Sequence, residues 1–217
     1  MQGVVIAGTD TNVGKTILSA LLMSALPEAV YWKPIQSGLQ EESDSEIVAR
    51  LSGAASERIL PEAYRLSQPL SPHLSAALDN IEIEIKQLSI PGSGNFTIVE
   101  LAGGLLVPLR HDVLQIEMLD RWQLPVLLAT RSTLGTINHT LLSLEALRSR
   151  GIEILGAIVI GPVNPPNEEA IRHFGHIEIL GRIPWLTCLD RESLRETFYT
   201  EFQGLQNILR EHAAIDI

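Results

Sequence analysis

The segment "VVIAGTDTNVGKT" (Val4–Thr16) decides the fold that we expect for this chain. Its apolar first part predicts a buried strand over 4–8, and the pattern from Lys15 onward predicts a helix. The turn between them has nearly the spacing of a Walker A phosphate-binding loop, G-x-x-x-x-G-K-[ST]. Here five residues separate Gly8 from Gly14, where the usual loop has four. The segment therefore predicts an enlarged phosphate loop.

Two interpretations of this turn are open from the residues alone. In the first, backbone N–H groups and the positive end of the helix dipole surround a phosphate, Lys15 neutralises its oxygens and Thr16 ligates Mg²⁺. In the second, the turn is an ordinary strand-to-helix connection in which Thr and Asn side chains cap the helix. A Gly-Lys-Thr triplet at this junction favours the first interpretation.

The rest of the chain alternates between apolar runs and helical patterns. Runs typical of strands buried on both faces lie at 29–34, 96–101, 124–130, 154–161 and 177–184, and helical patterns lie at 15–26, 137–151 and 191–212. This alternation predicts an α/β fold, a doubly wound and mainly parallel sheet with helices on both faces, as in P-loop NTPases. The length of 217 residues favours one domain over 1–217. In such a sheet, ligands bind at the carboxyl ends of the strands.

Composition narrows the classes of partner. The formal net charge is −10 and no cluster of Lys and Arg occurs, so we expect neither nucleic acid nor an anionic membrane as a partner. Cys188 is the one cysteine, which excludes an internal disulfide and a cysteine metal cluster. No pattern typical of a signal peptide or a membrane span is found, and we expect a cytoplasmic protein that binds small molecules.

Three charged side chains are candidates for the same crevice as the loop. Lys33 lies at the end of the second expected strand, and it is either a second anion-binding lysine or a solvated surface lysine. Glu100 ends the third expected strand in the position of a Walker B carboxylate, where it would hold Mg²⁺, unless it is a capping or surface residue. Asp44 lies in an acidic run that is either a further metal ligand or a solvated helix start. Two lysines in one crevice favour a carboxylate, carbamate or acyl-phosphate beside the nucleotide.

The chain resembles the dethiobiotin synthetase family in a set of motifs that spans Val4 to Leu186. They occur in the family's order and read "GTDTNVGKT", "YWKPIQSG", "SDSEIV", "LSPHLSA", "VELAGG", "STLGTINHT", "LGAIVIG" and "GRIPWL". The five-residue form of the loop is itself typical of this family. The resemblance implies a homodimeric enzyme that uses MgATP, CO₂ and 7,8-diaminononanoate. A carbamate forms on one amine, accepts the γ-phosphoryl group, and is closed to a ureido ring by the second amine.

The resemblance also implies roles for individual residues. The catalytic residues would be Lys33, Lys15 and Thr11, and the Mg²⁺ ligands would be Thr16, Asp44 and Glu100. Substrate would contact Thr11, Lys33 and Ser37. Its carboxylate tail would reach across the dimer interface to the segment of the other subunit that contains Leu134, Gly135, Thr136 and Asn138. The nucleotide would be bound by Asn12, Val13, Gly14, Lys15, Thr16, Ile17, Asp44, Glu100, Leu101, Ala102, Gly103, Gly161, Pro162, Pro184, Trp185 and Leu186.

Two positions depart from the family's usual pattern. Leu101 stands where the family usually has glycine after the acidic residue, which adds a side chain near the nucleotide or substrate turn, and we expect the local backbone geometry to differ there. Gly161–Pro162 stands where many relatives carry Asn-Asp-type residues that recognise adenine. Because glycine offers only backbone groups, whereas an amide pairs with both the N6 and N7 edges of adenine, we expect weaker selectivity for the base.

Other P-loop proteins are the alternatives. A signalling GTPase needs an N-K-x-D motif, which the sequence lacks. A partitioning ATPase normally has an additional lysine early in its loop, where this chain has Thr9 and Asp10. A carboxylate-activating ligase of the cobyrinate amidation type usually has a further glutaminase-like domain.

Overall fold

The computed structural model describes residues 2–92 and 94–213, with side chains described through residue 210. Nine strands and eight α-helices occur in the described residues. The strands are β1 Gly3–Gly8, β2 Val30–Trp32, β3 Ile35–Ser37, β4 Ile59–Leu60, β5 Tyr64–Leu66, β6 Thr97–Glu100, β7 Val126–Arg131, β8 Ile154–Ile160 and β9 Ile179–Ile183. The helices are α1 Lys15–Ala25, α2 Asp44–Ser52, α3 Pro72–Leu78, α4 Glu117–Trp122, α5 Thr136–Arg148, α6 Pro165–Gly175, α7 Arg191–Glu201 and α8 Gln203–Ala213.

Seven strands form one sheet in the order β4-β2-β6-β1-β7-β8-β9, and β3 pairs with β5 in a small second sheet. Every neighbouring pair of these strands is parallel. Parallel strands place all their carboxyl ends at one edge, and β1, which precedes the phosphate loop, lies in the middle. The expected α/β class with a mainly parallel sheet is confirmed.

Helices cover both faces of the large sheet. All six residues of β1 are buried, and successive side chains of a strand point to opposite faces. Val4 and Ile6 therefore pack in one core cluster, with side chains of α1, α7 and α8, whereas Val5 and Ala7 pack in another, with side chains of α4, α5 and α6. Burial on both faces explains why the strands are continuous apolar runs.

The structure corrects two of the expected boundaries. The expected strand over 29–34 is shorter in the structure, because β2 ends at Trp32. Pro34 has no N–H to donate to a neighbouring strand, and its carbonyl accepts the N–H groups of Ala63 and Tyr64. The helical pattern at 191–212 is two helices that meet at Phe202. The buried Phe202 ring packs directly on Gly181 of β9, in the space that a β-carbon there would occupy.

Within the described part of the chain, no helix combines the length and the apolar character needed to cross a membrane.

Candidate active site

The enlarged loop joins β1 to α1 and ends in a glycine with a positive φ. Gly14 has φ 100°, and a β-carbon there would lie 2.8 Å from the Ile160 side chain. Only glycine meets both conditions without strain. No side chain caps α1, and its first turn contains no acidic residue. The capping interpretation of this turn is therefore wrong, and the first amides of α1 are left for an anion.

Lys15 begins α1 and is directed back over the loop. Its ammonium donates a hydrogen bond to the Asp10 carbonyl at 3.1 Å. Burial and the nearby Lys33 ammonium lower the pKa of Lys15 to about 8. An anion placed beside this ammonium would favour its charged form.

Thr16, Lys33, Asp44 and Glu100 form one hydrogen-bonded cluster, which we call the carboxylate cluster. The Thr16 Oγ1 atom lies 2.8 Å from Asp44 Oδ1 and 2.9 Å from Glu100 Oε1. The Lys33 ammonium lies 2.7 Å from Asp44 Oδ2 and 3.0 Å from Glu100 Oε1. A threonine hydroxyl has one hydrogen, so it donates to only one of the two carboxylates at a time. The oxygen atoms of Thr16, Asp44 and Glu100 thus lie close together. The two carboxylates carry more negative charge than the Lys33 ammonium balances.

Lys33 is buried, with only 3% of its surface exposed, so the surface-lysine interpretation is wrong. Burial disfavours its charge, but the carboxylates of Glu100 and Asp44 outweigh this effect, and the pKa of Lys33 is raised. Burial likewise opposes the charge of Asp44, yet the Lys33 ammonium holds the pKa of that carboxyl below its usual value. The lysine is therefore a fixed positive charge inside the site.

Asp44 is both the first residue of α2 and a member of the carboxylate cluster. Ser43 caps the helix through a reciprocal capping box with Glu46. The Asp44 N–H also donates to the Gln36 side-chain oxygen at 3.2 Å, which links α2 to β3. The acidic run starts a helix, and Asp44 also supplies a carboxylate to the crevice; its role as a metal ligand stays a prediction.

Sequence reasoning did not find the two hydroxyls that hold the far side of Glu100. Ser19 donates to Glu100 Oε2 at 2.8 Å, and Tyr31 donates to the same atom at 3.0 Å. Burial and the Glu100 charge raise the pKa of Tyr31 well above its usual value, so the phenol stays protonated. Periodicity did contain a signal: Ser19 lies three residues after Thr16 on a helix, and Tyr31 lies two before Lys33 in an extended segment.

The turn after Glu100 accommodates Leu101 without crowding the crevice. The Leu101 side chain is 1% exposed and packs in the sheet core against residues such as Leu105 and Ile116. The turn is held by Gln115, whose amide exchanges two hydrogen bonds with Ala102 and donates a third to the Gly104 carbonyl. The side chain that Leu101 adds at this position therefore points into the core and away from the crevice.

Arg131, which the sequence reasoning also missed, ties the loop to the end of β7. Its guanidinium lies 2.6 Å from Asp10 Oδ2, and the other Asp10 oxygen accepts the Thr11 N–H at 2.8 Å. The Thr11 hydroxyl lies beside Gly103, 3.4 Å from where a β-carbon of that glycine would be. Thr11 thus lies between the phosphate loop and the turn after Glu100.

The segment expected to receive the substrate tail begins α5. Gly135 caps the helix with φ 92° and no side-chain cap, and Leu134 is 99% exposed. The Thr136 hydroxyl donates to the Arg131 carbonyl, and its N–H bonds to the Thr133 carbonyl. Ser37, at the end of β3, has a buried hydroxyl without a partner among the described residues.

The segments expected near the base follow β8 and β9, farther from β1. Gly161 has φ 124°, and a β-carbon there would lie 2.6 Å from the Ser132 hydroxyl. Asn164 and Asn167, which follow it, both donate to the Ser132 carbonyl. Trp185 is 74% exposed beyond the end of β9. The position of Gly161 therefore has no room for a side chain.

The described residues contain no group of three or more His, Cys, Asp or Glu side chains suited to a metal. Two carboxylates and a hydroxyl nevertheless suit Mg²⁺, which prefers oxygen ligands and usually takes one or two carboxylates together with substrate phosphates.

Known proteins resemble the chain in sequence and in fold. The model of a family described as AAA domain matches residues 2–193. Among solved structures, the MinC:MinD cell division protein complex of Aquifex aeolicus has a TM-score of 0.58 at 15% identity, covering 100% of this chain and 97% of that one. A ParA family ATPase from Chlorobium tepidum TLS has a TM-score of 0.51 at 13% identity, covering 95% and 93%. At these identities the likeness shows the P-loop NTPase fold alone.

Sequence relatives are more informative. The ATP-dependent dethiobiotin synthetase BioD of Brucella melitensis is 52% identical over 198 residues, which are 91% of this chain and 93% of the relative. Proteins of the same name from Brucella ovis and Brucella suis have the same identity and coverage. Because this identity extends far beyond the phosphate loop, the chain belongs to the family of ATP-dependent dethiobiotin synthetases.

Proposed function

We propose that this chain is a ligase of biotin biosynthesis that closes the ureido ring of dethiobiotin. It would join 7,8-diaminononanoate and CO₂ at the expense of ATP and release ADP and phosphate. The observation that carries the proposal is the buried Lys33 ammonium, 2.7 and 3.0 Å from two carboxylates beside the phosphate loop. A lone phosphate-binding ATPase site has no need of this second lysine, whereas a reaction between two anions does.

The phosphate loop would bind the nucleotide through backbone amides and α1. We assign the phosphates to Asn12, Val13, Gly14, Lys15, Thr16 and Ile17, supported by the uncapped N-terminus of α1. The turn of Glu100, Leu101, Ala102 and Gly103 would line the same site, with Leu101 contributing backbone only. Gly161, Pro162, Pro184, Trp185 and Leu186 would flank the adenosine.

Thr16, Asp44 and Glu100 would hold Mg²⁺. Their oxygen atoms already converge, and the Thr16 hydroxyl lies within 2.9 Å of both carboxylates. When bound, the ion would neutralise charge on the β- and γ-phosphate oxygens.

The chemistry that remains for the protein is positioning and neutralisation of charge. The carbamate formed on one amine is an anion that must approach the anionic γ-phosphate in line. Lys15 would contact both groups from the loop, Lys33 would face the carbamate from the end of β2, and Thr11 would donate to it from the loop. After phosphoryl transfer to the carbamate oxygen, the second amine attacks the carbon and phosphate leaves.

The substrate would lie between two copies of the chain. Ser37 would contact the substrate, since its hydroxyl has no partner among the described residues. The uncapped start of α5, with Leu134, Gly135, Thr136 and Asn138, would receive the substrate carboxylate from the partner subunit. The nearly complete exposure of Leu134 fits a contact with a second subunit. Thr136 would hold the start of α5 in position rather than bind the carboxylate itself, since its hydroxyl and N–H already bond to the Arg131 and Thr133 carbonyls.

We further propose that the chain works as a single domain in the cytoplasm, and that the base is read weakly because Gly161 offers only backbone groups.

The direct test is to incubate the purified protein with 7,8-diaminononanoate, bicarbonate and MgATP, and to follow dethiobiotin by mass spectrometry. We expect product that depends on all three components. Absence of product under these conditions would overturn the proposal.

A further inference from the structure

The two oxygens of the Glu100 carboxylate have different surroundings. Oε1 faces the phosphate loop, where Thr16 and Lys33 lie 2.9 and 3.0 Å away. Oε2 faces the interior and accepts hydrogen bonds from Ser19 at 2.8 Å and Tyr31 at 3.0 Å. A carboxylate oxygen offers about two lone-pair directions, so these two hydroxyls use the full accepting capacity of Oε2. Oε1 accepts from Lys33, and the one hydrogen of Thr16 can be donated to Asp44 instead, so Oε1 is the oxygen with a lone pair left for a ligand.

Both hydroxyls come from rigid parts of the fold. Ser19 and Tyr31 have no exposed surface, and they lie on α1 and on β2, which pack against each other. The Glu100 side chain, itself 1% exposed, cannot rotate to present Oε2 to the crevice without breaking two hydrogen bonds. Buried acceptors that lose their donors are costly, so this orientation is strongly held.

We propose that Tyr31 and Ser19 are positioning residues that determine which divalent cation the site accepts, by restricting Glu100 to one ligand oxygen. This inference rests on the metal site of the proposed function. Mg²⁺ requires near-ideal octahedral geometry, to which a single carboxylate oxygen contributes one ligand. Ca²⁺ takes six to eight oxygens and readily accepts both oxygens of one carboxylate. Holding Oε2 away from the site therefore disfavours Ca²⁺ more than Mg²⁺.

The variants that test this role are Tyr31→Phe and Ser19→Ala, each of which removes one donor to Oε2. Each has a matched control elsewhere in the chain. Tyr64→Phe removes another buried tyrosine hydroxyl, which accepts the Glu84 N–H, and Ser24→Ala removes a buried serine hydroxyl of the same helix α1, which bonds to the Leu21 carbonyl. A loss of general core stability affects variants and controls alike.

The measurement is the affinity of the ADP-bound protein for Mn²⁺ by electron paramagnetic resonance, with Mg²⁺ and Ca²⁺ as competitors. It requires no turnover. Partners that orient metal ligands typically change metal affinity by about 10- to 100-fold, and we expect the ratio of Ca²⁺ to Mg²⁺ affinity to rise about tenfold in Tyr31→Phe and in Ser19→Ala. The ratio should stay unchanged in Tyr64→Phe and Ser24→Ala.

The outcomes separate this inference from the function on which it rests. An unchanged ratio in both variants, with Mn²⁺ still bound, would overturn the positioning role alone. An equal change in the controls would also overturn it, since the effect would then be one of stability. Absence of Mn²⁺ binding in the unaltered protein would overturn the proposed metal site and this inference together.

Discussion

Replacing Lys33 with alanine separates its electrostatic role from nucleotide binding. The Lys33 ammonium is the positive charge between Asp44 and Glu100 at 2.7 and 3.0 Å. Without it, two carboxylates face each other in a buried site, where their remaining side-chain hydrogen-bond donors are the hydroxyls of Thr16, Ser19 and Tyr31. Removing one partner of a buried ion pair typically costs about 3–5 kcal/mol of unfolding free energy. We expect a loss of this size, measured by urea unfolding in the absence of metal and nucleotide.

The same variant should lose turnover by a larger factor than it loses nucleotide affinity. Removal of one preorganised charge at a reacting centre commonly lowers the rate by about 10²- to 10³-fold. Nucleotide affinity, measured by calorimetry with MgADP, should change little because the loop and α1 are untouched. Lys86→Ala is the matched control, since Lys86 pairs with Glu84 in an exposed position and should affect neither quantity. Turnover equal to that of the unaltered protein would refute the role given to Lys33.

Four further outcomes follow from individual residues. Gly14→Ala should weaken nucleotide binding and cost about 1–3 kcal/mol of stability, because its φ is 100° and the new β-carbon meets Ile160; a fully stable variant with normal affinity would contradict this. Leu101→Gly should destabilise the protein by about 2–5 kcal/mol in urea unfolding through loss of a buried side chain, and a gain of activity at unchanged stability would count against the inward orientation. Binding of ADP without metal at pH 8 should take up protons, seen as a dependence of calorimetric heat on the buffer, because Lys15 has a pKa of about 8 in the free protein and a phosphate raises it; no uptake would exclude this contact. Turnover with CTP or GTP should be comparable to that with ATP if Gly161 leaves the base weakly read, and strict dependence on ATP at low nucleotide concentration would disprove it.

Much of the crevice could be predicted because parallel strands share one carboxyl edge. Once β1, β2 and β6 are recognised as neighbouring parallel strands, residues such as Lys33 and Glu100 at their ends must approach the loop. Side chains alternate between the two faces of an extended strand, so the local sequence pattern indicates which residues lie on the same face. The fold class was predictable for the same reason.

The remaining contacts depend on packing between distant segments. Asp44 reaches the carboxylate cluster only because α2 starts beside Gln36 of β3, in a small sheet that the apolar pattern did not indicate. The inward direction of Leu101 depends on Gln115 holding the turn from a separate loop. Arg131 pairs with a residue 121 positions away in sequence. No local pattern specifies such approaches.

In the proposed reaction, the γ-phosphoryl group is transferred to an oxygen of the carbamate. The most direct measurement is a short reaction started with ¹⁸O-labelled CO₂, followed by mass spectrometry of the released phosphate. Because ring closure expels the carbamate oxygen together with the phosphoryl group, we expect inorganic phosphate that carries ¹⁸O in step with dethiobiotin formation. Dethiobiotin formed together with unlabelled phosphate would contradict transfer to the carbamate oxygen.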